Sequence, residues 1–208
     1  YLNQLNKFDL LVPISREDSE VFINAGCKIP VKVCAAGLNL DMYVVDKANV
    51  EFPSLFYIGA LDWMPNIEGL QWFLQNVWPG ITSKFPQLKI FIAGRNMPDS
   101  IKKIALRNVV IQGEVEDAVK FMNSKSIMVV PLLSGSGMRI KILEGMALQK
   151  AVVSTTIGAE GINCKEGENI YIADKPAEFI FKVEKLVTNF QFCDEMGKNA
   201  RKNVEENY

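Results

Sequence analysis

The chain has 208 residues, of which 49% are hydrophobic, and its formal net charge is −1. This length and composition allow one large domain with a substantial core, and the charge lacks the basic excess of a nucleic-acid binder, so we expect no nucleic-acid partner. Because the sequence contains no histidine, Ser-His-Asp catalysis, Cys-His catalysis and histidine metal sites are excluded within this chain.

The first 53 residues are predicted to hold two short strands, one helix and a linker. Apolar residues at 9–14 and 31–35 indicate the strands. Ser15 is a typical N-cap for the helix between them, and Gly26 is a typical stop. Residues 39–53 follow neither a helical nor a strand period, which predicts a linker.

From residue 54 to the end, predicted strands and helices alternate. The strands are continuous apolar runs at 54–59, 88–94, 108–113, 126–132, 151–156 and 169–173. The helices are predicted at 66–78 with a stop at Pro79 and Gly80, at 99–106, 116–124 and 138–149, after a cap at Asp174, and at 193–206. Fully apolar strands that alternate with helices predict an α/β fold with a doubly wound parallel sheet.

Four of the predicted strands end in glycine or in a glycine-rich turn, at Gly59, Gly94, Gly113 and Gly135. In a doubly wound sheet the carboxyl ends of the strands lie along one edge, where the ligand crevice forms. Glycines at that edge favour a ligand that approaches the backbone closely, and the alternative is a set of ordinary turns.

The stretch 131–161 is predicted to contain a strand end, a glycine-rich turn, a helix and a second strand. The turn, residues 134–137, is small and polar, and the helix carries Arg139, Lys141 and Glu144 within two turns. Free backbone N–H groups and a helix N-terminus suit a phosphate or diphosphate. The alternative is a tight turn followed by a salt-bridged surface helix.

The four cysteines are scattered along the chain, at Cys27, Cys34, Cys164 and Cys193. No pair has the C-x2-C spacing of a metal site, so we interpret them as reduced thiols in a cytoplasmic protein rather than a disulfide framework. No apolar run approaches the ~20 residues that span a bilayer, and no signal peptide is recognisable. We expect a cytoplasmic location, with at most peripheral association with the inner face of the membrane.

Segments spread over nearly the whole chain are similar to one enzyme family. They are DLLVPIS, AAGLN, LFYIGALDWMPNIEGLQWFLQNVWP, LKIFIAGR, NVVIQGEVED, SIMVVPLLSGSGMRIKILEGMALQKAVVSTTIGAEGI and ENIYIAD. The sequence resembles the carboxyl-terminal, donor-binding domain of GT-B-fold glycosyltransferases, in the large group of retaining bacterial sugar transferases of family 4 and its relatives (glycosyl transferases group 1). The most specific part runs from Ser134 to Gly161.

The resemblance implies two Rossmann-like domains that face each other, of which the carboxyl-terminal one binds a nucleotide-diphosphate sugar. Residues 1–38 then correspond to the end of the amino-terminal acceptor domain, 39–53 to the interdomain linker and 54–208 to the nucleotide-sugar-binding domain. Acid–base and acceptor residues would belong to the missing part of the acceptor domain, so no catalytic residue is assigned in this chain.

The resemblance also implies roles for individual residues. The diphosphate would be bound by Gly135, Ser136, Gly137, Met138, Arg139 and Lys141. Glu144 would accept hydrogen bonds from the ribose hydroxyls, since a carboxylate suits a vicinal diol; its alternative is a surface ion pair with Lys141. The base pocket is expected at Gly94, Arg95, Gly113 and Val115.

Two features of the sequence depart from the family pattern, and the position of one further residue, Trp63, is left undecided. Relatives carry a glutamate eight residues before Glu144, where this chain has Ser136, so the transferred sugar is not indicated. Ala60 and Asn66 stand approximately where many relatives place an arginine and a lysine. Trp63, in an Asp-Trp-x-Pro-Asn segment, is compatible with the site or with the core.

The implied reaction is transfer of a sugar, with retention, from a nucleotide-diphosphate sugar to an acceptor hydroxyl. The family makes a cell-surface polysaccharide or lipid-linked glycan the expected acceptor. The sequence has no Asp-x-Asp, and we predict catalysis without metal or cofactor. The alternatives are a nucleotide-sugar epimerase of the same architecture and a non-catalytic nucleotide-binding module. A nicotinamide-dependent oxidoreductase is disfavoured, because Ile140 replaces the third glycine of G-x-G-x-x-G.

Overall fold

The computed structural model describes residues 2–208 and is built around one six-stranded sheet. Its strands are β1 (Leu55–Ile58), β2 (Ile90–Ala93), β3 (Val109–Gly113), β4 (Ile127–Val130), β5 (Ala151–Ser154) and β6 (Tyr171–Ile172). The strand order is β3-β2-β1-β4-β5-β6, and each neighbouring pair is parallel. The predicted α/β fold with a doubly wound parallel sheet is confirmed.

Helices cover both faces of this sheet, which explains why its strands are apolar throughout. The helices of the described residues are α1 (Leu2–Leu5), α2 (Arg16–Asn24), α3 (Met64–Trp72), α4 (Trp78–Lys84), α5 (Asp99–Lys102), α6 (Ala118–Asn123), α7 (Ile140–Ala147), α8 (Pro176–Val187) and α9 (Phe190–Asn207), and those from α3 onward cover the sheet. Leu55 and Tyr57 of β1 pack on the side of α3, α4 and α8, whereas Phe56 and Ile58 pack on the side of α6, α7 and α9. Complete burial of a side chain such as Phe56 contributes about 1.5–3 kcal/mol.

The strand order reverses at β1, which pairs with β2 on one side and with β4 on the other. In doubly wound sheets the ligand crevice lies at this switch point, at the carboxyl ends of the strands. The ends of β1 and β2 approach so closely that a Cβ on Gly94 would lie 2.1 Å from the carbonyl oxygen of Gly59. Only glycine at position 94 allows this approach.

The helix predicted to stop at Pro79 and Gly80 continues to Lys84. It runs from α3 through a π-helical turn (Phe73–Val77) into α4. Pro79 lies in the first turn of α4, where the absence of its N–H removes little and its fixed φ fits a helix. The predicted stop is therefore wrong, because Pro79 directly follows the π-helical turn and falls in the first turn of the new α-helical segment.

The predicted strands at 9–14 and 31–35 are also wrong. The two segments form an isolated parallel bridge between Leu11 and Val31, and the Cys34 N–H also donates to the Pro13 carbonyl at 2.9 Å. These few contacts do not extend into a regular strand pair. The alternating apolar side chains of the first segment are mostly exposed, at Leu10, Val12 and Ile14.

The helix predicted in this region is confirmed. The Ser15 side chain accepts a hydrogen bond from the Asp18 N–H at 3.0 Å and caps α2, and Gly26 follows that helix with a φ of 93°. Residues 39–53 contain only a short 3-10 turn, Leu40–Met42.

Asp174 does not cap α8, contrary to the prediction. Helix α8 begins at Pro176, and Lys175 occupies the N-cap position. The Asp174 carboxylate instead accepts hydrogen bonds from the Thr156 N–H at 2.8 Å and from the Thr156 hydroxyl at 2.7 Å. The Asp174 carboxylate therefore bonds to the loop after β5 and not to the N-terminus of α8.

The four cysteines are free thiols, as predicted. Cys193 is buried in α9, and burial raises its pKa to about 12. That thiol is therefore protonated and unreactive at neutral pH.

Candidate functional site

A crevice of about 390 Å³ lies at the carboxyl edge of the sheet, beside the switch point. The ends of β1, β2 and β3 and the start of α7 form its walls, with Gly59, Gly94, Arg95, Val115 and Lys141. The wall therefore contains three of the four predicted base-pocket residues, Gly94, Arg95 and Val115, and one predicted phosphate ligand, Lys141. The fourth, Gly113, is not in the wall, but its carbonyl accepts a hydrogen bond from the Gly94 N–H at 2.8 Å.

A larger cavity, of about 520 Å³, lies between residues 14–17 and 161–164. Of the predicted ligands, it contains only Met138. The smaller crevice is the better candidate site, because it lies at the switch point and its wall contains four of the predicted residues. Residues 135–139 and Glu144 are not in this wall.

The loop between β4 and α7 presents free backbone donors. The helix starts at Ile140 rather than at 138, and no side chain caps it at Arg139. In the part of the chain that the structure describes, the N–H groups of residues 135–138 make no hydrogen bond. Gly135 and Gly137 have φ values of 109° and 87°, which favour glycine. Four consecutive free N–H groups before a helix N-terminus form an arrangement suited to an anion.

The Arg139 side chain folds back under this loop. Its Nη1 atom donates to the carbonyl of Ser136 at 2.5 Å and to that of Gly137 at 2.6 Å. Because the C=O and N–H of a trans peptide point in opposite directions, the N–H groups of Gly137 and Met138 point away from the guanidinium. Arg139 thereby fixes the direction of two of the four free donors.

Two other donors of Arg139, Nε and Nη2, are buried without a hydrogen-bond partner in the described residues. Burial lowers the pKa of Arg139, and the nearby charge of Glu160 raises it. An arginine with unused buried donors under a phosphate-sized loop is consistent with its predicted role in neutralising an anion.

Trp63 lies against the same loop and not in the core. The Arg139 guanidinium carbon lies 5.2 Å from the centre of the Trp63 ring, and the side chain of Trp63 is 39% exposed. A Cβ on Gly135 would lie 2.9 Å from both the indole ring and Arg139 Nη2. Of the two positions that the sequence allowed, the core is therefore excluded, and Trp63 lies beside the loop.

The Asp-Trp-Met-Pro-Asn turn is held in place by its own side chains. Asp62 accepts a hydrogen bond from the Asn96 amide at 2.8 Å, and the Asn66 amide donates to the Ala60 carbonyl at 2.8 Å. Asn66 therefore supports the β1 loop in the position where many relatives are expected to carry a lysine.

Lys141 and Glu144 form an ion pair on α7, at the side of the crevice. Glu144 has a second partner that the sequence analysis missed, because it lies 101 residues away: the Tyr43 hydroxyl donates to Glu144 Oε1 at 3.0 Å. Burial and the bond to Glu144 raise the pKa of Tyr43 to about 12. Glu144, the predicted ribose ligand, thus has Lys141 as a partner on its own helix and Tyr43 as a partner in the predicted linker.

Within residues 2–208, no group of three or more His, Cys, Asp or Glu side chains is placed to hold a metal ion. None of the helices in these residues is long and apolar enough to cross a membrane.

The family model described as "Glycosyl transferases group 1" matches residues 52–189. This match covers more than half of the chain, which therefore belongs to that family, as the resemblance in sequence predicted. Two curated relatives are similar to it. An uncharacterized 44.6 kDa protein in the cps region of Klebsiella pneumoniae is 26% identical over 212 residues, covering 98% of this chain and 53% of the relative. A capsular polysaccharide biosynthesis glycosyltransferase, CapM of Staphylococcus aureus, is 26% identical over 162 residues, covering 74% and 42%.

Solved structures of low sequence identity share the fold. A point mutant of S. aureus TarM, in complex with fondaparinux, alpha-GlcNAc-glycerol and UDP, has a TM-score of 0.84 at 19% identity, covering 100% of this chain and 42% of that one. Anabaena Alr3699/HepE, in complex with UDP and glucose, has a TM-score of 0.79 at 15% identity, covering 100% and 61%. The chain spans about half the length of the curated relatives it matches.

Proposed function

We propose that this chain is the donor-binding half of a glycosyltransferase that moves a sugar from a nucleotide-diphosphate sugar to an acceptor hydroxyl. The observation that carries the proposal is the row of four free N–H groups at 135–138, just before the helix whose first turn brings Lys141 into the wall of the crevice at the switch point. Membership of the group 1 family supports a transferase. The UDP in the TarM and HepE structures supports a nucleotide donor for this chain as well.

Each part of the donor has a proposed partner. The diphosphate lies on the N–H groups of residues 135–138, with charge supplied by Lys141 from the crevice wall and by Arg139 from beneath the loop. The base lies near Gly94, Arg95, Gly113 and Val115, and the ribose hydroxyls bond to Glu144. Two of these four base-pocket residues are glycines, so we propose that backbone groups contact the base.

These groups address the difficult part of the reaction, which is departure of the nucleoside diphosphate. Negative charge grows on that leaving group as the glycosidic bond breaks. Fixed N–H donors, a helix N-terminus and two cations stabilise this charge without having to reorganise. We therefore propose a reaction that needs no metal ion. Retention at the anomeric carbon is proposed from the family alone.

The acceptor side of the reaction is proposed to lie outside this chain. Residues 1–38, of which residue 1 lies outside the described residues, are proposed as the end of an acceptor domain, 39–53 as the linker and 54–208 as the donor domain. The family match begins at residue 52, close to the last of these boundaries. The role of CapM in capsular polysaccharide biosynthesis supports a cell-surface polysaccharide or lipid-linked glycan as acceptor. We propose that the enzyme lies in the cytoplasm or peripherally at the inner face of the membrane.

Calorimetric titration tests the donor site directly. We expect saturable binding of UDP or GDP that is unchanged within about twofold by EDTA, because the phosphate charge is met by protein groups. NAD is the control ligand, and binding of NAD alone would overturn the proposal. Product analysis with the full-length protein then separates sugar transfer from epimerisation of the donor.

Trp63 provides an optical test of where the diphosphate lies. Since its ring contacts the loop at Gly135 and Arg139, we expect UDP or GDP to change tryptophan fluorescence. Trp72 and Trp78 are more buried, so Trp63→Phe should remove most of this change. A full fluorescence response in that variant would argue against binding at the loop.

A further inference from the structure

Tyr43 is held at both ends where the linker passes α7 and α9. It follows the 3-10 turn Leu40–Met42, and its backbone N–H bonds to the Leu40 carbonyl at 3.0 Å. Its ring packs against the core on the side of α7 and α9. The hydroxyl reaches Glu144 Oε1 at 3.0 Å. A linker side chain therefore touches the carboxylate to which the ribose is assigned.

Arg201 on α9 fixes the backbone of this tyrosine relative to α7. The same Nη1 atom donates to the Tyr43 carbonyl at 2.9 Å and to the Ala147 carbonyl, in the last turn of α7, at 2.6 Å. Tyr43 is thus joined to α7 twice, through its hydroxyl to Glu144 and through its carbonyl by way of Arg201. This double connection sets the distance between the hydroxyl and the carboxylate.

The two partners of Glu144 act on different oxygens. Tyr43 donates to Oε1, whereas the ion pair with Lys141 is made by Oε2. A carboxylate oxygen has two acceptor positions, so each oxygen keeps one unfilled acceptor position after both contacts, of which the one on Oε2 is buried. Two neighbouring acceptor positions match the two O–H donors of a vicinal diol.

We propose that Tyr43 is a positioning residue of the donor site, which holds the Glu144 carboxylate in the orientation that accepts both ribose hydroxyls. This role rests on the proposed function, because it requires a ribonucleotide in the crevice. A free glutamate loses side-chain entropy when it is ordered by a ligand. Tyr43 removes much of that cost before the ligand arrives, and its raised pKa keeps the hydroxyl a donor at neutral pH.

The test compares Tyr43→Phe with the wild type, using UDP, GDP and their 2′-deoxy analogues in calorimetry. We expect the affinity for the ribonucleotide that binds to fall roughly five- to tenfold, which is the size of effect expected for loss of one ordinary hydrogen bond. The affinity for its 2′-deoxy analogue should fall less than twofold, because one of the two hydroxyl contacts is already absent. An equal fall for both nucleotides indicates a merely structural role and overturns the proposal, as does no fall for either.

Two further variants sharpen the result. Tyr171→Phe removes a tyrosine hydroxyl at the opposite end of the sheet from β3, in β6, and should leave both affinities unchanged. Glu144→Gln should lower the affinity for the ribonucleotide. In the Glu144→Gln background, Tyr43→Phe should lower that affinity by less than a further twofold, because the two residues act through one carboxylate. Additive losses contradict the positioning role. If the wild type binds neither nucleotide, the proposed function is wrong, and the positioning role of Tyr43 is wrong with it.

Discussion

Replacement of Lys141 by alanine is expected to weaken binding of UDP or GDP by roughly ten- to 150-fold. Lys141 is one of the two cations in the crevice wall, with Arg95, and lies in the first turn of α7. A charge-assisted hydrogen bond to phosphate contributes about 1.5–3 kcal/mol, which corresponds to that range of affinity. The variant also leaves Glu144 without its cationic partner, and the unpaired carboxylate then repels the diphosphate. Calorimetry at two salt concentrations measures the loss and its electrostatic origin.

The matched control is Lys202→Ala, which removes an exposed lysine of α9 that pairs with Glu206 at 3.8 Å. It should bind the nucleotide as the wild type does. The double variant Lys141→Ala/Glu144→Gln separates the two contributions, because it removes the cation without exposing a negative charge. If Lys141→Ala alone binds within twofold of the wild type, the diphosphate does not lie against this side of α7.

The Gly197→Ala substitution is expected to destabilise the fold by about 2 kcal/mol, which lowers the melting temperature by roughly 4–8 °C in a domain of this size. In an isolated helix the same change would stabilise, by about 1 kcal/mol. Here a Cβ at position 197 would lie 2.1 Å from the carbonyl oxygen of Gln149, just after the end of α7. This oxygen belongs to the backbone and does not move independently, so α9 has to shift away from α7.

Gly80→Ala is the matched control for this prediction. Position 80 is also helical, and the new Cβ would lie 2.4 Å from Ile180 Cδ1. That atom is the end of a flexible side chain, which rotates away at little cost. Denaturant unfolding should therefore show a change within about 1 kcal/mol, of either sign. Equal losses in the two variants would contradict the assignment of the Gly197 effect to a rigid backbone contact.

The sheet was predictable because each of its strands is a short apolar run with residues that break regular structure next to it. The runs that failed, 9–14 and 31–35, have the same local pattern. What distinguishes them is the absence of a partner strand within the described residues beyond the single bridge at Leu11. Pairing of this kind depends on distant parts of the chain, so no local pattern reports it.

The candidate site shows the same limit. The loop at 135–138 and the charges of Arg139, Lys141 and Glu144 were visible because they lie within ten residues of each other. The direction of the Arg139 side chain was not visible, since it depends on two carbonyls and on Trp63. Tyr43 left no local signal at all, and Asp174 gave a misleading one because Thr156 competes for its carboxylate.

Arg201 has a consequence for local unfolding. Terminal helices commonly open on their own, and their amide hydrogens then exchange quickly with solvent. Opening of α9 requires Arg201 to release both Ala147 and Tyr43, and so disturbs the helix and the hydroxyl that flank Glu144. A ligand that binds only the closed form stabilises everything that must open with it. Amide exchange along α9 should therefore slow when a nucleotide occupies the crevice, although the proposed ligand contacts include no residue of that helix.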